Sequence, residues 1–493
     1  MKKRVSLLLI LSLMLSLFAM TPVSAASDEA SGSVPRIEIT TQDGNGTALE
    51  KADGYVNASI TIADGDKEPL TDSVLFKVRG NSTALPFVTK KAYTFKFNTK
   101  KDLFGMGKGK KWALLANTFD PTLLRNYIAF DLAHKMGLEY TCEQRFVELW
   151  VDGSCRGCYT LMEPVQQGKD RVDIDLGSNG GLNDFLIERE ASRTEDGVTY
   201  FKTDGIRFSV SEPEEPTDEQ LAYIQSVMDD ILATLKTGDR DAISAKLDIA
   251  SFTRFYLLNE LYKTADFNFS SVFFYYKSGV LYAGPAWDYD LAAGNSNASY
   301  SASAMSSADT KGLFAAQCHL YRYLCSCDWF NDEIRKTLRL YYDDVAGIAA
   351  EGGVIDRLLD EYRPLFDRNY STAGWRVNKW WVNVQKKPLP TYDENVGYLR
   401  SWLCARVDWL AGYYKPEEAT PAYILGDADN DGIVNVIDAT AIQRHLAYLS
   451  TKQYHEKAAD ADEDNYVTIL DASMIQRYLV ELPSNERIGT TIG

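Results

Sequence analysis

Apolar positions recur with a period of two through the first part of the chain. Val74, Phe76 and Val78 are followed by Tyr93, Phe95 and Phe97, with Lys77, Thr94 and Lys96 among the residues between them, a pattern that suits half-buried strands. Short runs of this kind from Ile37 to about residue 165 predict an antiparallel sheet, interrupted by one helix from Leu123 to Met136. Beyond about residue 217 the period lengthens. Leu221, Ile224, Met228, Ile231 and Leu235 fall on one helical stripe, and helices dominate from there. A strand-rich first half and a helical second half predict an α+β domain in two lobes, with the cleft between them as the default place for chemistry.

Near the C-terminus the pattern repeats itself. The helices DATAIQRHLAYL and DASMIQRYLVEL carry Ala439, Ile442, Leu446 and Leu449 in one copy and Ala472, Ile475, Leu479 and Leu482 in the other. Each follows an acidic loop. Asp427, Asp429, Asp431, Asn435 and Asp438 stand at loop positions 1, 3, 5, 9 and 12, with Gly432 at the sharp turn and the Ile433 carbonyl at position 7. The second loop offers Asp460, Asp462, Asp464, the Tyr466 carbonyl, Thr468 and Asp471, with Asn465 at the turn. Oxygen donors at this spacing wrap a Ca²⁺ ion. The competing reading is a solvated acidic tail.

Loop then helix, twice, each loop closing on Asp, resembles a dockerin, the domain that plugs secreted enzymes into cohesins of a cellulosomal scaffoldin. The resemblance covers residues 423–485 and implies a small all-α module holding two Ca²⁺, with a cohesin as partner. It also implies that Val436, Ile437, Thr440 and Arg444, with their mates Ile469, Leu470, Ser473 and Arg477, help to choose that cohesin. Apolar Val-Ile and Ile-Leu stand here in place of the Ser-Thr pair of the best-known class.

The other end fixes the expected compartment. Met1-Lys2-Lys3-Arg4, the apolar run Val5 to Met20 and the small residues Val23-Ser24-Ala25 predict a signal peptide over 1–25, hence export to the cell-surface cellulosome. No later segment has the length of apolar sequence that a membrane span needs. Residues 26–36 and 416–422 read as linkers flanking a domain over 37–415, and 486–493 as a tail. A formal net charge of −17 argues against a nucleic-acid partner, because such a chain repels phosphate backbones. The seven cysteines include Cys155-x-x-Cys158 and Cys325-x-Cys327, neither with a second pair at zinc-site spacing, so buried thiols or one or two bridges are the simpler reading.

Candidate chemistry lies in the second lobe. A helix ending near Lys263 is followed by Asp266, a strand Val272 to Tyr276, a Lys277-Ser278-Gly279 turn, a strand Val280 to Ala283, and Trp287-Asp288-Tyr289-Asp290. A hairpin folds its ends together, so Asp266 and Asp288 return to one rim, with Asp290 beside them. Phosphoryl transfer needs such a set: one carboxylate to orient and deprotonate the acceptor hydroxyl, others to hold Mg²⁺. Turn capping is the simpler alternative for carboxylates at a hairpin mouth.

Several separated segments resemble the CotH spore-coat kinase family in the same order: Arg79-Gly80-Asn81-Ser82, Lys90 to Lys96, Leu103-Phe104-Gly105, Trp112 to Asn117, Asp120 through Arg125-Asn126, Tyr159 to Glu163, and Asp266 to Asn295. The resemblance implies an atypical protein-kinase-like fold that binds ATP with Mg²⁺ or Mn²⁺ and phosphorylates a protein acceptor. It makes Asp266 the catalytic aspartate and Asp288 a metal ligand, and gives Asp290 either the second metal or a structural hydrogen bond. Lys96 is a candidate for the ATP phosphates. Arg79 and Arg125 serve either phosphate or an ion pair with Glu163, and Trp287 either covers the nucleotide or belongs to the core. Ser271 stands where many members carry Asn as a second metal ligand. No glycine-rich phosphate loop is present, so Arg and Lys side chains would have to bind phosphate. Two other functions are open: a glycosidase with paired carboxylates, and a non-catalytic subunit whose Trp375, Trp380 and Trp381 stack on sugar rings.

Overall fold

The computed structural model describes residues 34–177, 182–296, 307–371, 388–415, 423–447, 449, 454–464 and 466–492. Residues 1–25, read above as a signal peptide, and Trp375, Trp380, Trp381 and Asn465 lie outside the described residues. The chain divides into two compact units, one of the residues up to Cys327 with Asp343–Asp408, the other of Asp328–Tyr342 with Trp409 onward.

In the first unit seven strands close into a barrel: β1 (Arg36–Thr41), β2 (Val56–Ala63), β3 (Leu70–Arg79), β4 (Ala92–Asp102), β5 (Lys108–Leu115), β6 (Gln144–Val151) and β7 (Ser154–Met162), in the order β1-β2-β3-β4-β5-β7-β6. Neighbours are antiparallel except at the closure, where β1 runs parallel to β6 with Ile37 opposite Leu149. Alternation explains the interior. Val74 pairs Phe97, Phe76 pairs Phe95 and Val78 pairs Tyr93, and all six side chains are buried. The period-two pattern thus predicts strands and their inward faces, but closure depends on the β1–β6 pairing of distant segments. It removes both sheet edges. The one helix in this region, α1 (Arg125–Lys135), starts two residues later than the sequence pattern predicts, because Leu123 takes a left-handed backbone (φ 64°).

A second, five-stranded sheet has the order β12-β11-β8-β10-β9 and uses β8 (Phe185–Arg189), β9 (Tyr200–Thr203), β10 (Ile206–Glu212), β11 (Val272–Lys277) and β12 (Val280–Ala283). The sequence reading places no strands between residues 165 and 217, yet β8 is the central strand. The predicted hairpin is present as β11–β12, turning at Ser278 and Gly279, both at positive φ as a two-residue turn requires. Helix α2 (Asp218–Leu235) begins with a Thr217–Gln220 capping box and buries Ile224, Met228, Ile231 and Leu235. Helix α3 (Ile249–Tyr262) is buried along almost its whole length.

The second unit holds helices α4 (Val436–Leu446) and α5 (Ile469–Leu479) around a core that includes Leu425, Ala439, Ile442, Ala472, Ile475 and Ile488. Only the Ala and Ile positions of the repeated stripe are buried. Leu449 and Leu482 lie beyond the helix ends and are more than half exposed. The segment read as a tail is part of this unit: β14 (Thr491–Ile492) pairs with β13 (Tyr423–Ile424), and Ile488 enters the core.

Candidate functional site

The first unit contains a cavity of about 310 Å³ between one end of the barrel and the five-stranded sheet. Helix α3 delivers one wall. Lys263 ends it in the left-handed conformation (φ 44°), and the following turn, Ala265–Asn268, carries Asp266. Ala265 N–H donates to the Leu291 carbonyl at 3.1 Å and Ala293 N–H to that of Tyr262 at 2.6 Å, which ties this turn to the loop after the hairpin. Asp266, Asp288, Asp290, Ser271 and Trp287 therefore line one cavity, as hairpin closure predicts. The loop is held by helix α1 and by a contact of its own as well. Asn126 Oδ1 accepts the Tyr289 N–H at 2.6 Å, and Asn295 donates to the Asp290 carbonyl at 2.7 Å.

Two non-glycine residues in this wall, Ser271 (φ 62°) and Asp288 (φ 63°), occupy the left-handed region. Such conformations cost about 1–3 kcal/mol and persist where the surroundings impose them. Ser271 is fixed by its N–H donating to Glu188 Oε1 at 2.9 Å, and its hydroxyl is 3.5 Å from Asp288 Oδ2.

Crowding of carboxylates shapes the electrostatics. Burial, then the charge of Asp288, pushes Asp266 up to about 7. Burial also raises Asp288, against the opposing pull of Arg79 and Arg193, and raises Asp290 well above the usual range with Asp288 and Asp266 adding to it. Proximity of the Asp290 carboxyl works the other way on Asp288 and lowers it. Among the described residues, groups of three acidic, His or Cys side chains close enough to share an ion occur only in the second unit. A cation in this cavity would thus rest on one or two carboxylates with phosphate and water completing its shell, the usual Mg²⁺ arrangement.

The other candidates separate. Arg79 lines the cavity and lies over the Trp287 ring at 5.4 Å, so both belong to its wall. Arg125 does not reach it. Its guanidinium is buried against Asp120 at 2.5 Å and donates to the Ala292 and Ala293 carbonyls, so it braces the Asp290 loop from behind. Glu163 pairs with Arg171 and takes neither arginine as partner. Lys96 is exposed on the barrel's outer face and does not line the cavity, because alternation turns it away from the interior and its register places it beyond the cavity mouth. All seven cysteines are free thiols.

Three wall residues escape the sequence reading. Glu188 and Glu190 come from β8 and the residue after it, and Arg193 pairs with Glu190 at 3.1 Å. Burial pushes Glu188 up to about 7. The signal available was the charged Glu188-Arg189-Glu190 directly after the apolar Phe185-Leu186-Ile187, unusual for a central strand.

Replacing Arg125 by Met should leave Asp120 buried without its charged partner and the Ala293 carbonyl without its donor, while the Ala292 carbonyl keeps the Asn295 N–H. A loss of about 3–5 kcal/mol in the first unit is expected, the usual scale for breaking a buried pair. A melting temperature within a degree of wild type would exclude this bracing role.

In the second unit the first oxygens of each loop converge. Carboxylate oxygens of Asp427, Asp429 and Asp431 lie within 4.8 Å of one another, as do those of Asp460, Asp462 and Asp464. Asp429 Oδ1 is buried with no hydrogen-bond partner, a sign that the loop is built for a cation. The remaining side-chain ligands predicted from sequence do other work as well. Asn435 and Thr468 cap α4 and α5 by accepting the N–H of Ile437 and Leu470. Asp438 accepts from Asp429 and Asn435, and Asp471 from Asp462 and Thr468, at 2.7–3.1 Å. Burial raises Asp438 to about 6. The Ile433 carbonyl accepts from Asn435 Nδ2 at 3.1 Å, and the Tyr466 side chain is exposed. Two acidic loops of one design fit Ca²⁺ in donor chemistry and spacing.

Comparison with known families locates both parts. The CotH kinase protein family matches residues 76–410, and the dockerin type I domain matches residues 425–480. A comparison with curated proteins finds no match. Among the described residues no helix is long and apolar enough to cross a membrane. The acidic cavity lies within the first match and the paired cation loops within the second, and the chain belongs to the CotH kinase protein family, with a dockerin type I domain at its C-terminal end.

Proposed function

We propose that the first unit transfers phosphate from ATP to a protein hydroxyl, and that the dockerin anchors it to a cohesin of an extracellular cellulosomal scaffold. The observation that carries the reading is the meeting of Asp266 and Asp288 in one crowded, partly desolvated cavity. On this reading the barrel and the sheet with its helices are the two lobes of a kinase-like domain. Asp266 orients the acceptor hydroxyl and takes its proton. Asp288, aided by Asp290 and the weaker donor Ser271, holds Mg²⁺ or Mn²⁺, which when bound would neutralise phosphate oxygens. Arg79 and Arg193 supply the side-chain cations that a glycine-rich loop would otherwise replace. The predicted signal peptide and the dockerin together support an exported protein, since dockerin domains bind Ca²⁺ and cohesins.

Incubation of the mature protein with labelled ATP and Mg²⁺ or Mn²⁺ tests this. A base works only when deprotonated, and Asp266 sits near 7, so labelling of the protein itself or of scaffold proteins should rise as pH increases from about 6 to 8. No incorporation with either metal across that range would sink the enzyme reading.

A further inference from the structure

Beside the acidic cavity lies a second one of about 430 Å³. The two share Arg79, Gly80, Glu188, Glu195 and Trp287, so the Arg79–Trp287 contact is a common wall. None of Asp266, Asp288 and Asp290 lines the second cavity. It adds Lys51, Lys77 and Lys111 instead. Strand register explains the gathering. Lys77 on β3 is opposite Thr94 on β4, and Lys111 on β5 is opposite Lys96, so alternation sets Lys77, Thr94 and Lys111 on the same outer face of the barrel.

Arg79 has Asp288 as an opposing charge and Lys111 feels that of Glu212, but the lysines of the recess form no close ion pair among the described residues. Among the described residues no ion pair involves Lys77 or Lys111, and Lys51 donates to a neutral amide, Asn81 Oδ1, at 2.5 Å. Lys77 rests 4.4 Å from the Tyr55 ring centroid. Burial and then repulsion from Lys111, Lys51 and Arg79 lower its pKa, as expected where positive charges gather. The two carboxylates of the lining are engaged elsewhere, Glu188 by the Ser271 N–H and Glu195 by Asn81 Nδ2 at 2.7 Å. Three lysines beside the shared Arg79, against two occupied carboxylates of the lining, make a positive recess in a chain whose formal net charge is −17.

We propose that this recess docks an anionic side chain of the acceptor, a carboxylate or a phosphorylated residue close in sequence to the hydroxyl that receives phosphate. The inference rests on the phosphotransfer reading and adds a substrate class to it. Phosphates held through a metal at Asp288 would lie in the cavity that Asp288 lines, with Arg79 beside them, and an uncharged nucleoside has no use for the three further lysines. An acceptor chain whose hydroxyl reaches Asp266 passes the shared wall and brings its neighbouring side chains to the lysines. Docking is non-covalent, so its strength should fall with salt.

The test compares the full-length protein with Lys77→Gln/Lys111→Gln and with Lys100→Gln/Lys110→Gln, an exposed pair of equal charge outside both cavities. Three serine peptides, flanked by glutamates, by phosphoserines or by lysines, are titrated calorimetrically without nucleotide, and Mg-ATP binding is followed separately by melting shift. The wild type and the control pair should bind the glutamate or phosphoserine peptide at least tenfold more tightly than the lysine peptide. The cavity variant should lose that preference with its ATP affinity unchanged. Equal binding of all three peptides by wild type, or a fall in ATP affinity matching the loss of peptide binding, overturns the proposal. Preference for acidic peptides without any phosphate transfer would instead defeat the phosphotransfer reading and leave the docking recess standing.

Discussion

Asp266→Asn should reduce phosphate transfer by roughly 10²-fold or more while leaving Mg-ATP affinity close to that of the wild type. The carboxylate proposed as base meets the acceptor hydroxyl and not the nucleotide, and 10²-fold is the lower end of what general-base loss costs. The substitution also removes a like charge that raises Asp290 and is itself raised by Asp288, so the metal-free protein should fold at least as well as before. A slow but stable variant separates a chemical role from structural damage. Asp288→Asn should behave differently. It takes charge from the proposed metal position, so nucleotide affinity and transfer should fall together, and excess Mg²⁺ or Mn²⁺ should restore part of both. Calorimetry or a nucleotide-induced melting shift follows binding, and labelled phosphate follows transfer. Equal labelling by both variants and wild type would remove the enzyme reading.

Removal of Ca²⁺ should unfold the second unit and abolish cohesin binding. Its core is small, built largely of Ala and Ile with a two-strand clasp, while each loop crowds three carboxylates within 4.8 Å. Without a cation that crowding opposes folding, and with one the binding free energy becomes folding free energy. Chelation should therefore erase the helical signal of α4 and α5, leaving the first unit's melting transition in place. Asp427→Ala with Asp460→Ala should do the same at any Ca²⁺ concentration, because each aspartate opens its loop, and Asp427 Oδ1 and Oδ2 also fix the turn by accepting from the Asp431 and Gly432 N–H groups. Unchanged cohesin affinity in EDTA would contradict this account.

How far the sequence carries depends on whether a feature is local. The cation loops are local: ligand spacing within a dozen residues, a repeated helix and the capping residues Asn435 and Thr468 stand next to one another in the chain. The hairpin that joins Asp266 to Asp288 is local too, its turn marked by Ser278-Gly279, so the meeting of the two aspartates follows from strand pairing alone. Lys96 shows the limit. Alternation tells that it points away from the barrel interior, yet which outward lysine lines a cavity depends on where the second sheet lies against the barrel, and that favours Lys77 and Lys111.

Thus the sequence by itself determined the strand and helix periods, the family resemblance, the duplicated acidic loops and the pairing of two aspartates across a hairpin, all of them consequences of spacing along the chain. Only the tertiary structure decided that the strands close into a barrel through β1 and β6, that β8 brings Glu188 to the cavity, that Arg125 meets Asp120 and not phosphate, and that the last residues clasp the dockerin. Each of these joins segments through contacts that periodicity leaves unspecified. A two-residue or 3.6-residue repeat says which face is buried, whereas the partner of that face is selected by packing and charge summed over the whole fold.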